Sequence, residues 1–177
     1  MIENTNQDEV PYEAPPATWT ERLVPFIVMA AVLLLDQFTK RLVETNLPLY
    51  GVWAPIPALE PYFRILHTTN TGMAFGLFQQ GGTLIAIVAV IVTGVIVYFN
   101  QTLPGNEILL RIALGLQLGG VLGNLIDRFR QGHVTDFLDF GPVPIFNIAD
   151  ASLVCGVILL GIVMLLEDRR HKSATAE

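Results

Sequence analysis

The sequence predicts an all-α integral membrane protein with four transmembrane helices and a small extramembrane β-rich loop region between helices 1 and 2. Three observations carry this reading. Hydrophobic residues make up 52% of the 177 residues and charged residues only 15%, with a mean hydropathy of +0.53. A soluble chain this short has too much surface per volume to be so apolar. Four apolar segments approach the roughly 20 residues that a helix needs to cross the hydrocarbon core. None shows a polar face wide enough for water, which argues against a soluble bundle of buried helices.

The elements follow in order. Residues 1–21 are polar and acidic, with Glu3, Asp8, Glu9, Glu13 and Glu21 together with Pro11, Pro15 and Pro16. They read as a disordered tail. A secretory signal would instead begin basic and turn apolar within a few residues. The membrane domain spans 22–168. Its first segment starts near Leu23, is apolar or small through Leu35 apart from Pro25, and continues as helix through Asp36, Gln37 and Lys40. The second runs from Gly82 to Phe99, the third from Ile108 to Ile126 with Arg111 and Gln117 inside it, and the fourth from Ile148 to Leu166. Residues 41–81 carry Pro48, Pro55, Pro57 and Pro61 between short β-type stretches such as Tyr62–Leu66, the pattern of a small sheet or lid. Residues 100–107 form a short polar turn, and 127–147 are polar and then rich in Gly and Pro. Residues 169–177 are a basic, then polar, C-terminal tail.

Charge narrows the partners. A net charge of −6 suits neither nucleic acid nor anionic lipid headgroups. Cys155 is the only cysteine, so no intramolecular disulfide forms, and it reads as a small packing residue in a helix. Four spans put both termini on one side. That side holds Arg22, Arg111, Arg169, Arg170 and Lys172; the other holds Lys40, Arg41, Arg64, Arg128 and Arg130. Five bases against five leave the positive-inside rule undecided.

Ionisable groups at membrane depth are costly and are functional candidates by default. Here they gather at one end of the spans. Asn124, Asp127 and Arg128 fall at i, i+3 and i+4, so they share a helix face. Gly115, Gly119 and Gly123 recur every four residues, a spacing that lets another helix approach closely. Asn147 stands where it could cap the fourth helix. Asp150 sits about one turn inside that apolar helix, where an unpaired carboxylate is expensive. Asp136 precedes it by 14 residues, and a reversal through Gly141-Pro142 could bring the two carboxyls together. Two close carboxyls in a dry site cannot easily both ionise. The ionised member can take a proton from water while the protonated one donates to a carbonyl oxygen. Ser152 lacks a sequence-adjacent Lys or His. A metal site from His133, Asp136, Asp139 and Asp150 is an alternative, although the His spacing of a zinc protease is absent. Asp36 and Lys40 form a favourable i, i+4 pair. Asn70, in the polar Thr68-Thr69-Asn70-Thr71-Gly72 turn, offers an amide that can bind backbone.

Together these stretches resemble the lipoprotein signal peptidases, also called signal peptidase II. The matching pieces are Asp36-Gln37-Phe38-Thr39-Lys40; Asn70-Thr71-Gly72 with Ala74-Phe75-Gly76; Gly123-Asn124 with Asp127-Arg128; His133-Val134-Thr135-Asp136-Phe137; and Phe146-Asn147-Ile148-Ala149-Asp150. They occur in the family's order over roughly residues 22–168. The resemblance implies an aspartic endopeptidase that cuts diacylglyceryl-modified prolipoproteins just before the lipidated cysteine, with Asp136 and Asp150 as the catalytic dyad. It further implies that Asn70, Asn124, Arg128 and Asn147 line the site, that Asp36 and Lys40 support it, and that no metal or organic cofactor and no obligatory protein partner are needed. It implies a bacterial cytoplasmic membrane, with both termini cytoplasmic and the catalytic end on the outer face. Met73 stands where small residues are common in the family. A proton-coupled transporter and a non-catalytic helix-assembly protein are the competing readings. The transporter would place its acids near mid-membrane, with repeated helix halves, and no internal repeat is visible.

Overall fold

The computed structural model describes residues 15–72 and 81–174, with side chains described from 15 to 72 and from 87 to 169. The Met73-Ala74-Phe75-Gly76 motif and the first 14 residues of the tail lie outside the described residues.

Helix α1 spans Trp19–Asn46. It starts inside the stretch read as tail because Thr18 and Glu21 form a capping box: the Thr18 hydroxyl accepts the Glu21 N–H at 3.3 Å, and the Glu21 carboxylate accepts the Thr18 N–H at 2.7 Å. It runs further than expected and stops only where Leu47, extended ahead of Pro48, cannot continue the helix. Its 28 residues correspond to about 42 Å, longer than the roughly 30 Å hydrocarbon core of a bilayer. Helices α2 (Gly81–Thr102), α3 (Ile108–Gln131) and α4 (Ile148–Ala174) follow. The stretch 169–174 is thus helical rather than a tail, because no Gly or Pro after Gly161 interrupts it. Three of the four helices are long and apolar enough to cross a membrane, and α2 adds a shorter described apolar stretch, Ile87–Thr102.

Helix α3 is central and packs on the other three. Its glycines make this possible. A Cβ at Gly119 would stand 2.5 Å from the Val32 Cβ on α1, and one at Gly120 would collide with the Ala149 carbonyl oxygen on α4. Small residues at these crossings let the backbones touch. The molecule is apolar outside and polar inside: Ile27, Leu34, Phe38, Val157 and Leu165 are exposed, whereas Asp36, Lys40, Asn124, Asp127 and Asn147 are buried. Cys155 also faces outward and is not a packing residue.

A three-stranded antiparallel sheet caps one end, in the order β1 (Val52–Trp53), β2 (Arg64–Asn70), β3 (Val134–Asp139). Among the described residues, the region between α1 and α2 supplies the first two strands. The third comes from the α3–α4 connection, which the sequence reading left as loop. Helix α3 ends at Gly132, whose φ of 78° turns the chain sharply and whose N–H closes on the Arg128 carbonyl. The chain then runs along β2, pairing Thr135 with Thr69 and Asp136 with Thr68. Beyond Gly141 it doubles back, and Phe146 bridges Leu138. That reversal delivers the start of α4 beside Asp136.

Candidate active site

Most of the buried polar residues form one connected system where α1, α3, α4 and β3 meet, whereas Asn100 and Arg111 bond to each other at the other end of α3. At the base of this system, the Lys40 ammonium lies 2.8 Å from both Asp36 and Asp127, and all three side chains are fully buried. Lys40 also donates to Asn124 Oδ1 at 3.0 Å. Each carboxylate has a second task. Asp36 accepts the Ala149 N–H at 2.9 Å, satisfying one of the free donors of the α4 N-terminus from a different helix. Asp127 accepts the Thr135 N–H at 3.4 Å and thereby holds the start of β3. Gln37 ties the two together, donating to Asp36 at 3.2 Å and to Asp127 at 2.9 Å.

Above this base stand Asp136 and Asp150, both held by asparagine amides. Asp136 accepts from Asn147 Nδ2 at 2.7 Å and from Asn70 Nδ2 at 3.0 Å. Asp150 accepts from Asn124 Nδ2 at 2.7 Å and from the Asn147 backbone N–H at 3.3 Å. Asn147 therefore serves both carboxyls, and its amide also reaches Asn124 Oδ1 at 3.1 Å. Asn124 relays in turn, since its oxygen accepts from Lys40 while its nitrogen holds Asp150. Asp136 is 2% exposed. Burial pushes its carboxyl up to about 6, and the neighbouring Asp150 charge adds to the rise against the amides of Asn70 and Asn147.

Arg128 is half-buried at the rim. Its guanidinium donates to the Asn124 carbonyl at 3.1 Å rather than to a carboxylate, within electrostatic range of Asp150, Asp136 and Asp127. Asp139 does not join the acids. It pairs with Arg64 across the β2–β3 ladder at 2.6 Å and accepts the Gly141 N–H at 2.9 Å, and these partners hold its carboxyl below the usual carboxylate range. Among the described residues, no three His, Cys, Asp or Glu side chains gather as a metal site. The Ser152 hydroxyl is committed to the Ile148 carbonyl at 2.8 Å. Asp36, Lys40, Asn70, Asn124, Asp127, Arg128, Asp136, Asn147 and Asp150 thus fall in or beside one system, whereas Asp139 and Ser152 do not. Gln37, Thr135 and Glu44 belong to it as well, and sequence reasoning assigned them nothing. Gln37 and Thr135 sat inside quoted motifs; for Glu44, a partner about 90 positions away left no local signal.

Residues 28–166 match the family described as signal peptidase (SPase) II. Among curated relatives, a lipoprotein signal peptidase of Shouchella clausii is 42% identical over 151 residues, covering 85% of this chain and 98% of its own. That of Moorella thermoacetica is 41% identical over 138 residues, covering 77% and 90%. A bacterial membrane enzyme solved by the in meso method superposes with a TM-score of 0.76 at 31% identity, over 91% of this chain and 96% of that one. A second such structure gives 0.77 at 30%, over 87% and 98%. With its fold, its buried acids and these likenesses in agreement, the chain belongs to the lipoprotein signal peptidase family.

Proposed function

We propose that this multi-pass bacterial membrane enzyme hydrolyses the signal-peptide bond of diacylglyceryl-modified prolipoproteins, just before the lipidated cysteine, with Asp136 and Asp150 as its catalytic dyad. The observation that carries the reading is Asn147, whose side-chain amide holds the Asp136 carboxylate and whose backbone N–H holds that of Asp150, so that one residue joins two acids from different elements. One proton is shared by the pair and resides preferentially on Asp136, whose buried carboxyl is the reluctant one to ionise. Asp150 removes a proton from a water molecule as its oxygen attacks the scissile carbonyl carbon, and Asp136 donates its proton to the carbonyl oxygen. The tetrahedral species collapses as the C–N bond breaks: the nitrogen takes the proton held by Asp150, and one hydroxyl returns its proton to Asp136, which restores the singly protonated dyad. The products are a carboxyl on the signal peptide and a free amine on the lipidated cysteine.

The remaining site residues position the pair: Asn70 and Asn147 on Asp136, Asn124 on Asp150, and the Asp36–Lys40–Asp127 cluster beneath both. Arg128 acts through its charge and its grip on the Asn124 carbonyl. We place the catalytic end at the outer face of the cytoplasmic membrane, with both termini inside. A lipid-anchored cysteine puts its scissile bond near the membrane surface, the depth of these helix ends, while its acyl chains remain in lipid.

The test is incubation of purified enzyme in nanodiscs with a diacylglyceryl prolipoprotein, reading the new N-terminus by mass spectrometry. Cleavage before the modified cysteine is expected. It should survive exhaustive chelation, and Asp136→Asn and Asp150→Asn should each lose at least roughly 10³-fold of turnover, in the range of general acid–base contributions. Near-normal cleavage by either folded variant overturns the dyad assignment, and activity restored specifically by a divalent ion overturns the metal-free mechanism.

A further inference from the structure

We propose that Glu44 is a positioning residue for Asp136 and acts through the hydroxyl of Thr135; this deepens, and rests on, the dyad reading. Glu44 lies one turn beyond Lys40 on α1, on the side facing β3. Its carboxylate accepts the Thr135 hydroxyl at 2.7 Å. That hydroxyl in turn accepts from Gln131 at 3.1 Å, and Arg130 donates to Glu44 at 2.9 Å. Thr135 is fully buried, and the Glu44 side chain is only 15% exposed.

The consequence follows from strand geometry. Successive side chains leave a strand on opposite faces, so Thr135 points toward Glu44 and Asp136 points away from it. Rotation of the strand about its axis would carry both together. β2 is the ladder partner of β3 beside Asp136, and that ladder is irregular between Ile65 and Thr68, just short of the Thr68–Asp136 pair; on the other side of β3, Phe146 bonds only from Phe137 onward. Strand pairing therefore holds residues 134–136 from one side only. The Thr135 backbone is already tied by Asp127 at its N–H and by Asn147 at its carbonyl, at 3.4 Å each. The Glu44–Thr135 bond supplies the side-chain hold that fixes the roll of the strand, and with it the position of the Asp136 carboxyl against Asp150. The Arg130–Glu44 pair, with Arg130 41% exposed, contributes little by itself.

The experiment measures kcat and KM of purified Glu44→Ala, Thr135→Val and the double variant on a diacylglyceryl prolipopeptide in nanodiscs, with folding checked by thermal unfolding. Each single change should lower kcat about tenfold, the scale of a hydrogen bond to a charged group, and leave KM within about twofold. The double variant should lose no more than either single one, because both remove the same contact. Glu44→Gln and Thr135→Ser, which keep an acceptor and a donor, should recover most of the turnover, and Arg130→Ala should stay near wild type. Unchanged kcat in Thr135→Val, or losses that multiply in the double variant, would overturn the proposal. If Glu44→Ala does not fold, the nearly isosteric Thr135→Val decides alone. Asp136→Asn runs alongside. Turnover retained there defeats the dyad reading, whereas an inactive Asp136→Asn beside an unimpaired Thr135→Val defeats only the role given to Glu44.

Discussion

Asn147 and Asp150 cap each other: the Asn147 side-chain oxygen accepts the Asp150 N–H at 2.9 Å, and the Asp150 carboxylate accepts the Asn147 N–H at 3.3 Å. This is the reciprocal logic of a capping box, built here from Asn and Asp. The turn that starts α4 therefore also fixes a carboxyl of the proposed dyad, and the same Asn147 amide reaches the other. Helix initiation and site assembly are one event.

These two tasks of Asn147 can be separated. In Asn147→Ser the hydroxyl can still accept the Asp150 N–H, so the cap survives, but the donor to Asp136 is gone. The expected outcome is a melting temperature close to wild type with turnover lower by one to two orders of magnitude, roughly the value of a hydrogen bond to a charged group. Asn147→Ala should lose the same turnover and in addition about 1 kcal/mol of stability with the cap. Thermal unfolding and cleavage rates on the same samples check both. Equal loss of stability in the two variants would mean that the cap dominates.

Lys40 makes the opposite case, where stability leads. Lys40→Met leaves Asp36 and Asp127 buried without their common cation. Removing one partner of a buried ion pair typically costs about 3–5 kcal/mol. We expect a large loss of stability, partly recovered in Lys40→Met/Asp127→Asn, which carries one fewer unpaired anion. Equilibrium unfolding in detergent is the measurement. A double variant no more stable than the single one would show that charge burial is not the cause.

Gly123 tests how closely α3 must approach this cluster. A Cβ there would lie 2.7 Å from Asp36 Oδ2 and 3.2 Å from the Ala149 Cβ, so Gly123→Ala must displace the carboxylate that caps α4 from α1. Both stability and turnover should fall. Gly94→Ala on α2, where a Cβ meets nothing within 4 Å, should do neither. Parallel melting curves and cleavage rates distinguish the two positions.

Much of this was legible in the sequence because the bilayer simplifies the problem. With apolar side chains facing lipid, the polar residues that remain at depth mark the interior, so Asp36, Lys40, Asn124, Asp127 and Asp150 stood out without any knowledge of the fold. What sequence could not supply was contact between distant segments. Asp136 lies on a strand, yet Val134–Asp139 is six residues long, and its ladder partner is β2, some 65 positions earlier. Its local signal was submerged by the Gly and Pro that follow. Thr135 and Glu44 were missed for the same reason. Each is an ordinary polar residue until the chain folds, and a threonine in a strand or a glutamate near a helix end has a bland reading that local pattern cannot displace. The length of α1 was underestimated because polar residues past Lys40 resemble a loop, although nothing breaks the helix before Pro48. Arg128 shares a helix face with Asp127, yet its guanidinium holds the backbone carbonyl of Asn124, a contact that helical spacing alone does not single out.

That placement of Arg128 bears on the last prediction, which concerns the proton on Asp136. Its carboxyl is pushed up to about 6 from the ordinary 3.8 by burial and by the charge of Asp150. Between those values the folded state binds a proton that the unfolded state has lost, so stability falls as pH rises through that window. Asp136→Asn has no proton to lose and should flatten the fall, which unfolding at several pH values will show. Activity follows the same group. If the working dyad carries one proton, turnover declines on the alkaline side as Asp136 loses it, and on the acid side when both carboxyls are protonated. The Arg128 guanidinium, within electrostatic range of Asp136, favours its ionised form. Removing it in Arg128→Gln makes the last proton harder to lose, so the alkaline limb should move to higher pH while the amide still offers a donor to the Asn124 carbonyl. Cleavage in nanodiscs across pH, with folding verified at each point, gives the comparison. A limb that stays in place or moves down would show that Arg128 matters only for its grip on α3.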